Sequence, residues 1–470
     1  MNVKKIVQFS VGPIGATLLG FISILLVTRL FSQGDIGRLA MFHIATNICT
    51  LLFSLGLDQA YVREYHETLN KAALLKGTLL PGLLLLTASI SLLELVVSLP
   101  ISELLFSFRS VALEALVVVG LITNFLSRFL LLALRMQERA LSYSISQLLS
   151  KFLSLVIVFS YILFDTDKTF LNLLLAHVSS SLAVTMLVAW HCLHEDMYTI
   201  KQPIDKHKLL GMLKYGCPLV VGSLAYWGLT ASDKVFLRAF SDYTQLGLYS
   251  IAVSIAAGAA LLGTVFSTVW APTVYKWAAN NENFQKIDQV AEYMLSAVVL
   301  FFSLGGITSG LITEILPDNY ASVRYVLIPC LSFPLMYVLS EATVVGLGIS
   351  KKTILIMGAS VSALLFNLLG NYILIPKYGA AGAAIATSFS FWFFLFLRTE
   401  FSCQVWRSFP RTKLYIFSFT CVTLASLSAL LGETMGHWLQ GMWFGFMLIC
   451  IVSFFQNYKN TVLWISNLVT

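Results

Sequence analysis

Long apolar runs separated by short polar connectors fill this chain from one end to the other. The runs are continuous over about twenty residues instead of alternating, so they predict helices of bilayer length and not membrane strands. In order they fall at 9–28, 38–57, 77–99, 112–134, 143–164, 169–190, 215–237, 247–269, 290–312, 324–346, 354–375, 380–398, 414–432 and 438–457, fourteen in all. The expected fold class is all-α, a polytopic membrane protein with about 14 transmembrane helices. The connectors are too short for a soluble catalytic domain, so function must reside in the helix bundle itself.

Around residue 214 the chain starts over. Residues 214–247 open on Lys214, Gly216 and Pro218, continue through an apolar span containing Asp233 and Lys234, and close on Arg238, Phe240, Ser241 and Gly247. Near the N-terminus the same order appears as Lys4 and Lys5, Gly12 and Pro13, an apolar span, then Arg29, Phe31, Ser32 and Gly37. The exits from the second span of each half also correspond, at 57–63 and 270–276. Six spans precede the polar, basic connector 191–214 and six follow it before a final pair. Because six is even, both repeats enter from one side, which is the parallel-repeat arrangement of transporters. The expected domains are an N-lobe at 1–195, a cytoplasmic linker at 196–214, a C-lobe at 215–398 and an extra helix pair at 414–470. Pro13 and Pro218 lie in the first helix of each lobe, and helices 1 and 7 are expected to bend there.

Composition agrees with this pattern. The chain is 58% hydrophobic and 11% charged, with mean hydropathy +0.83, whereas soluble domains are about a quarter charged. The basic start runs into an apolar stretch with no small-x-small cleavage site, so it reads as the first span and not as a removed signal. Of the 30 Lys and Arg residues, 20 fall in connectors on the side of the N-terminus, 7 on the opposite side, and Arg128, Lys151 and Lys234 within spans. This asymmetry predicts cytoplasmic termini and accounts for the net charge of +7 without a nucleic-acid partner. The seven cysteines lie mostly in apolar stretches and form no C-x-x-C pair, so neither disulfides nor a metal site is expected. No phosphate-binding Walker motif is present, which excludes ATP as the direct energy source.

Taken together, Arg29 with Gly37, LGLDQAYVREY at 55–65, Ser232, Asp233 and Lys234 with Gly247 and Tyr249, Trp270, Ala271, Pro272 and Tyr275, and the run from Asn371 through Pro376, Gly379 and Gly382 to Thr387 resemble a known family. It is the Wzx-type exporters of polysaccharide repeat units, within the MATE-like flippase superfamily. The resemblance covers nearly the whole chain. It implies two six-helix lobes that open alternately inward and outward, and a bacterial inner-membrane location. It further implies a substrate, an undecaprenyl-pyrophosphate-linked oligosaccharide such as an O-antigen repeat unit, moved to the outer leaflet, with a polysaccharide polymerase and a chain-length regulator as downstream partners. Within the same superfamily, the rival readings are a lipid II flippase and a MATE-type cation or drug antiporter, although the first span lacks the acid expected of the antiporter. From another class, a membrane polysaccharide polymerase or acyltransferase would need a substantial outer loop or paired acid and base groups.

A sugar pyrophosphate needs a wet, cationic path, because each buried ion costs several kcal/mol. The substrate-binding candidates are Lys151, Arg128, Asp233, Lys234, Arg29, Arg63 and Arg238, with catalytic residues and cofactors expected to be none. An intramembrane Lys or Arg costs roughly 2.5–3.5 kcal/mol on insertion scales and usually faces the bundle interior. The alternative for Arg29, Arg63 and Arg238 is interfacial anchoring with snorkelling stems. Candidates for coupling to H+ or Na+ are Asp233, Glu341 and His177. Asn47, Asn124, Asn367 and Asn371 could bind sugar hydroxyls or bond neighbouring helices.

Overall fold

A computed structural model describes residues 3–95, 100–193, 206–279 and 285–458. Most of the expected linker (196–205), the end of the third expected span (96–99), and Lys201 and Lys459 lie outside the described residues. Among the described residues the regular elements are all helical. Within these same described residues, twelve helices are long and apolar enough to cross a membrane. Two of these exceed any bilayer and are broken internally: the 53-residue α17 (Thr353–Val405) at Gly379 and the 42-residue α18 (Thr412–Ser453) at Met435. Counting each arm separately gives fourteen spans.

The chain divides into two compact units, Met1–Trp227 and Gly228–Thr470. The division falls within one continuous helix, α9 (Lys206–Phe240).

In the first unit α1 (Val3–Leu30), α2 (Gln33–Phe53), the short α3 (Leu57–Glu64), α4 (Lys71–Leu95), α5 (Ile101–Phe106), α6 (Val111–Met136), α7 (Ala140–Leu163) and α8 (Phe170–Leu193) precede the start of α9. Small residues permit the close approaches, as is usual where lipid supplies no hydrophobic drive between helices. Gly12 and Gly15 of α1 lie against Ser144 and Leu148 of α7, and Gly120 of α6 lies against the Phe42 ring of α2. Asn124 of α6 donates to the Thr46 carbonyl at 3.2 Å and to the Thr50 hydroxyl at 2.9 Å, tying α6 to α2.

In the second unit, the last part of α9 is followed by α10 (Tyr243–Ala256), α11 (Ala260–Ala279), α12 (Gln285–Thr308), α13 (Leu311–Ile315), α14 (Val323–Cys330), α15 (Ser332–Thr343), α16 (Val345–Ile349), α17 and α18. The core gathers Phe302, Phe391, Leu395, Cys421 and Trp443. Two hydroxyl pairs, Ser332 with Ser388 at 2.5 Å and Thr343 with Thr399 at 2.8 Å, join α15 to the second arm of α17 with one constant sequence offset. They are eleven residues apart on each helix, about three turns, so the two helices run parallel. The last helix pair is built into this unit: Gly306 of α12 faces the Trp443 indole, whose N–H donates to Ser428 at 3.0 Å across the break in α18.

The two corners that the motif pairs share their local geometry. α1 ends at Leu30 and α2 begins at Gln33, and α9 ends at Phe240 and α10 begins at Tyr243. Each two-residue corner ends in a residue whose side chain accepts from the backbone three positions on, Ser32 from Asp35 and Asp242 from Gln245. Such a cap satisfies an orphan N–H at the helix start. Capping therefore pairs Ser32 with Asp242, one residue beyond the match with Ser241 that the motif suggests.

Candidate functional site

In the first unit, Leu55 and Gly56 both adopt left-handed conformations (φ 52° and 70°), and this turn redirects the chain from α2 into α3. Gly56 packs on the backbone of Gly216, where a Cβ on either residue would collide with the other. The close approach lays α3 along the start of α9. Arg63 then stacks over the Tyr215 ring at 4.5 Å, and the Lys208 ammonium lies 3.8 Å from Glu64 and donates to Thr68 at 2.6 Å.

Asp58, in the first turn of α3, accepts from Arg128 of α6 at 2.9 Å. The carboxylate is buried, while the arginine side chain keeps 58% of its surface exposed. Arg128 is thus anchored at one end and open at the other. Arg29 is exposed in the last turn of α1.

Lys151 and His177 come together from α7 and α8. Lys151 is exposed and lies within electrostatic reach of the His177 imidazole, whose Nδ1 is 3.1 Å from the Leu173 carbonyl. A second imidazole, His43 of α2, meets His177 edge-on with ring centroids 5.7 Å apart. Next to this cluster a cavity of about 180 Å³ is lined by Asn124, Ser127, Gln147, Ser150 and Ser181. That volume accommodates water, and the polar lining would hold it.

The second unit holds a different kind of cluster. The αL-like break at Gly379 (φ 51°) folds α17 back on itself, and Gly382 packs on the backbone at Leu374. The Gln245 side chain accepts from the Ala380 N–H at 3.0 Å and fixes this turn. The hairpin brings Asn367 of the first arm within 3.3 Å of Thr387 of the second, and Asn371 donates to Asn367 at 2.8 Å. Ser232 of α9 also donates to Asn367, at 2.7 Å. Asp233 accepts from Thr387 at 3.2 Å, from the Tyr249 hydroxyl of α10, and from the Lys234 backbone N–H at 3.0 Å. All of these side chains except Lys234 are buried, Asp233 to 1% exposure, and the Asn371 carbonyl oxygen has no partner among the described residues.

The node is therefore a hydrogen-bonded network of side-chain oxygens that runs from Ser232 and Asn371 through Asn367 and Thr387 to the Asp233 carboxylate. Hard cations take this chemistry, and a proton on Asp233 would satisfy the same groups. Lys234, half-buried beside it, offsets part of the carboxylate charge.

Glu341 sits elsewhere in this unit. Its carboxylate accepts from Arg398 at 2.8 Å, and the same guanidinium donates to Ser340 at 2.6 Å and stacks over Phe394 at 4.8 Å. Sequence reading places Arg398 at the end of its span, but the second arm of α17 runs on to Val405 and the arginine is 6% exposed. Arg238 is half-buried and stacks over Tyr243 at 4.8 Å.

Residues 3–278 match the polysaccharide biosynthesis protein family. The chain belongs to this family. A curated family relative, a probable low-salt glycan biosynthesis flippase, Agl15, of Haloferax volcanii, is 25% identical over 217 residues. The matched part is 44% of each chain, so this protein spans less than half the length of the curated relative it matches. Among solved structures, the fold is shared with a lipid II flippase, MurJ, in an inward closed conformation (TM-score 0.69, 15% identity, 97% of this chain and 100% of the other). It is shared also with an inward-facing multidrug resistance MATE family transporter (TM-score 0.56, 15% identity, 88% and 99%).

The sequence-derived candidates thus separate into local groups. Lys151 and His177 meet in the first unit, Asp233 and Lys234 belong to the buried oxygen node of the second, and Arg128 and Glu341 are held in ion pairs. His43, Asp58, Tyr249 and Thr387 are additions from the structure. Besides the charge of Asp233 and Lys234 in an apolar run, the node has a sequence signal in the i, i+4 spacing of Asn367 and Asn371, which puts two amides on one helix face.

Proposed function

We propose that this protein is a flippase that carries an undecaprenyl-pyrophosphate-linked oligosaccharide, an O-antigen or similar surface-polysaccharide repeat unit, from the inner to the outer leaflet by alternating access. The family match over residues 3–278 carries the reading, and the name of the Haloferax relative, a probable glycan biosynthesis flippase, supports a glycan as the substrate class. On this reading the protein is a transporter and not an enzyme. It lies in the bacterial inner membrane with both termini cytoplasmic, and it hands its product to a polymerase and a chain-length regulator.

The exposed cations of the first unit, Lys151, Arg128, Arg29 and Arg63, meet the diphosphate, and Arg238 and Lys234 are the candidate cations of the second unit. Lys151 is the principal contact, because it is exposed on α7 within electrostatic reach of His177 and directly follows Ser150, which lines the polar cavity. The lipid tail remains in the bilayer, where it costs nothing to leave it. With the inside negative, outward movement of each anionic charge is favoured by ~2.3 kcal/mol per 100 mV. Asp233 and its oxygen partners bind the coupling ion, H+ or Na+, and the alternation of that node between occupied and empty couples the ion to the lobe. α1 contains no Asp or Glu, which argues against an antiporter driven by an acid in its first helix.

The test is deletion of the gene in its own host. Surface polysaccharide should disappear while lipid-linked repeat units accumulate in the inner leaflet. Units that reach the outer face and remain unpolymerised would overturn the reading.

A further inference from the structure

The first unit contains a slot that the transport reading does not use. It lies among α4, α6 and α8, encloses about 400 Å³ and is walled by Leu75, Leu79, Leu126, Leu130 and Leu182. Apart from Thr123 and Thr185 within the walls, its polar groups collect at one end, where α4 begins and α6 ends: Lys71, Lys76, Gln137 and Tyr61. Lys71 is held at this mouth, donating to the Tyr65 carbonyl and lying over the Tyr65 ring at 4.5 Å.

Along α8 the lining extends from Cys192 to Leu182. Ten residues at the helical rise are ~15 Å, the depth of one leaflet of a ~30 Å hydrocarbon core. Met186, which lines the slot, is 61% exposed, and Leu187 and Trp190 beside it are exposed too. In a membrane such a face meets lipid. Apolar walls one leaflet deep, open to the bilayer and basic at one end, match a single lipid chain with an anionic head.

We propose that this slot binds an anionic glycerophospholipid, with an acyl chain against the leucine walls and its phosphate at Lys71 and Lys76. Two ammonium groups, one amide and one phenol suffice for a phosphodiester. They are too few to replace water around the hydroxyls of an oligosaccharide, which separates this site from the substrate path. By the positive-inside asymmetry the basic end faces the cytoplasm, so the occupant comes from the inner leaflet. The proposal does not depend on what the protein transports.

Native mass spectrometry of the full chain in mild detergent, titrated with phosphatidylglycerol, phosphatidylcholine or a polyprenyl phosphate, tests it. The wild type should retain one phosphatidylglycerol in preference to phosphatidylcholine. The double variant Lys71→Ala, Lys76→Ala should bind phosphatidylglycerol about 25-fold more weakly, roughly fivefold per lysine, with phosphatidylcholine unchanged. Ala189→Phe, which fills the slot from a partly exposed position, should remove the bound lipid without touching either charge. Equal phosphatidylglycerol affinity in all three proteins would overturn the site. Displacement of phosphatidylglycerol by the polyprenyl phosphate, dependent on the two lysines, would overturn the identity of the ligand.

Discussion

Thr387 donates to Asp233 at 3.2 Å across 154 positions of sequence, inside a node closed off from solvent. The threonine lies on the second arm of α17, which the break at Gly379 folds back along the first, and the hydrogen bond ties this hairpin to α9. It joins the acid of α9 to the amides of α17, and a change of occupancy at the acid would be felt by both.

Asp233→Asn keeps the size of the side chain and removes its charge. It should abolish ion-dependent stimulation of transport while the protein still accumulates in the membrane. Melting in sodium against choline salts identifies the ion. If sodium couples, the wild type gains stability with sodium concentration as a bound ligand must give, and Asp233→Asn does not. If the proton couples, sodium changes neither. An ion-dependent transport rate that survives Asp233→Asn would remove the node from the mechanism.

Lys151→Ala should lower export about tenfold or more at normal protein levels, the scale of removing one charge-assisted hydrogen bond to the substrate. Lys151→Arg should restore most of it. His43→Phe tests whether the imidazole pair matters to this lysine, with a smaller effect expected. Quantifying lipid-linked repeat units in the inner leaflet reads all three.

Arg398→Ala should destabilise the second unit by about 3–5 kcal/mol, because it strands the Glu341 carboxylate in a largely buried position. The paired replacement of Arg398 and Glu341 by Met and Leu should recover much of that stability. Thermal unfolding in detergent measures both. A full loss of transport in the stable paired variant would assign Glu341 a coupling role beyond packing.

Gly56→Ala should weaken the seat of α3 on α9, since the residue combines positive φ with close packing on the Gly216 backbone. The strain alone costs about 1–2 kcal/mol. Because α3 carries Asp58, the variant should also release Arg128, and a double-mutant cycle of Gly56→Ala with Arg128→Ala should be non-additive in transport.

The spans were legible because bilayer thickness imposes one length on every apolar run. The likeness of the two helix corners was legible because both carry Arg-x-Phe-Ser. Even so, the corner was readable only to within one residue: Ser241 copies the letter of Ser32, but Asp242 does its capping. The lateral packing was not legible. Asp58 and Arg128 are 70 positions apart, and His43 and His177 are farther still; hydrophobic periodicity says which face of a helix is apolar and nothing about which helix it meets. Asp233 and Lys234 stood out as charge in an apolar run, while Asn367 and Asn371 read as either sugar-binding or helix-bonding amides, and Thr387 only as the end of a motif, until the structure joined them to the acid.

The most direct measurement uses the purified protein in sealed liposomes carrying a fluorescent lipid-linked oligosaccharide, with a membrane-impermeant glycosidase added outside. The account predicts that inner-leaflet substrate becomes cleavable at a protein-dependent rate that an imposed membrane potential accelerates and Lys151→Ala slows about tenfold. Cleavage no faster than in protein-free liposomes, with the protein folded and correctly inserted, would contradict it.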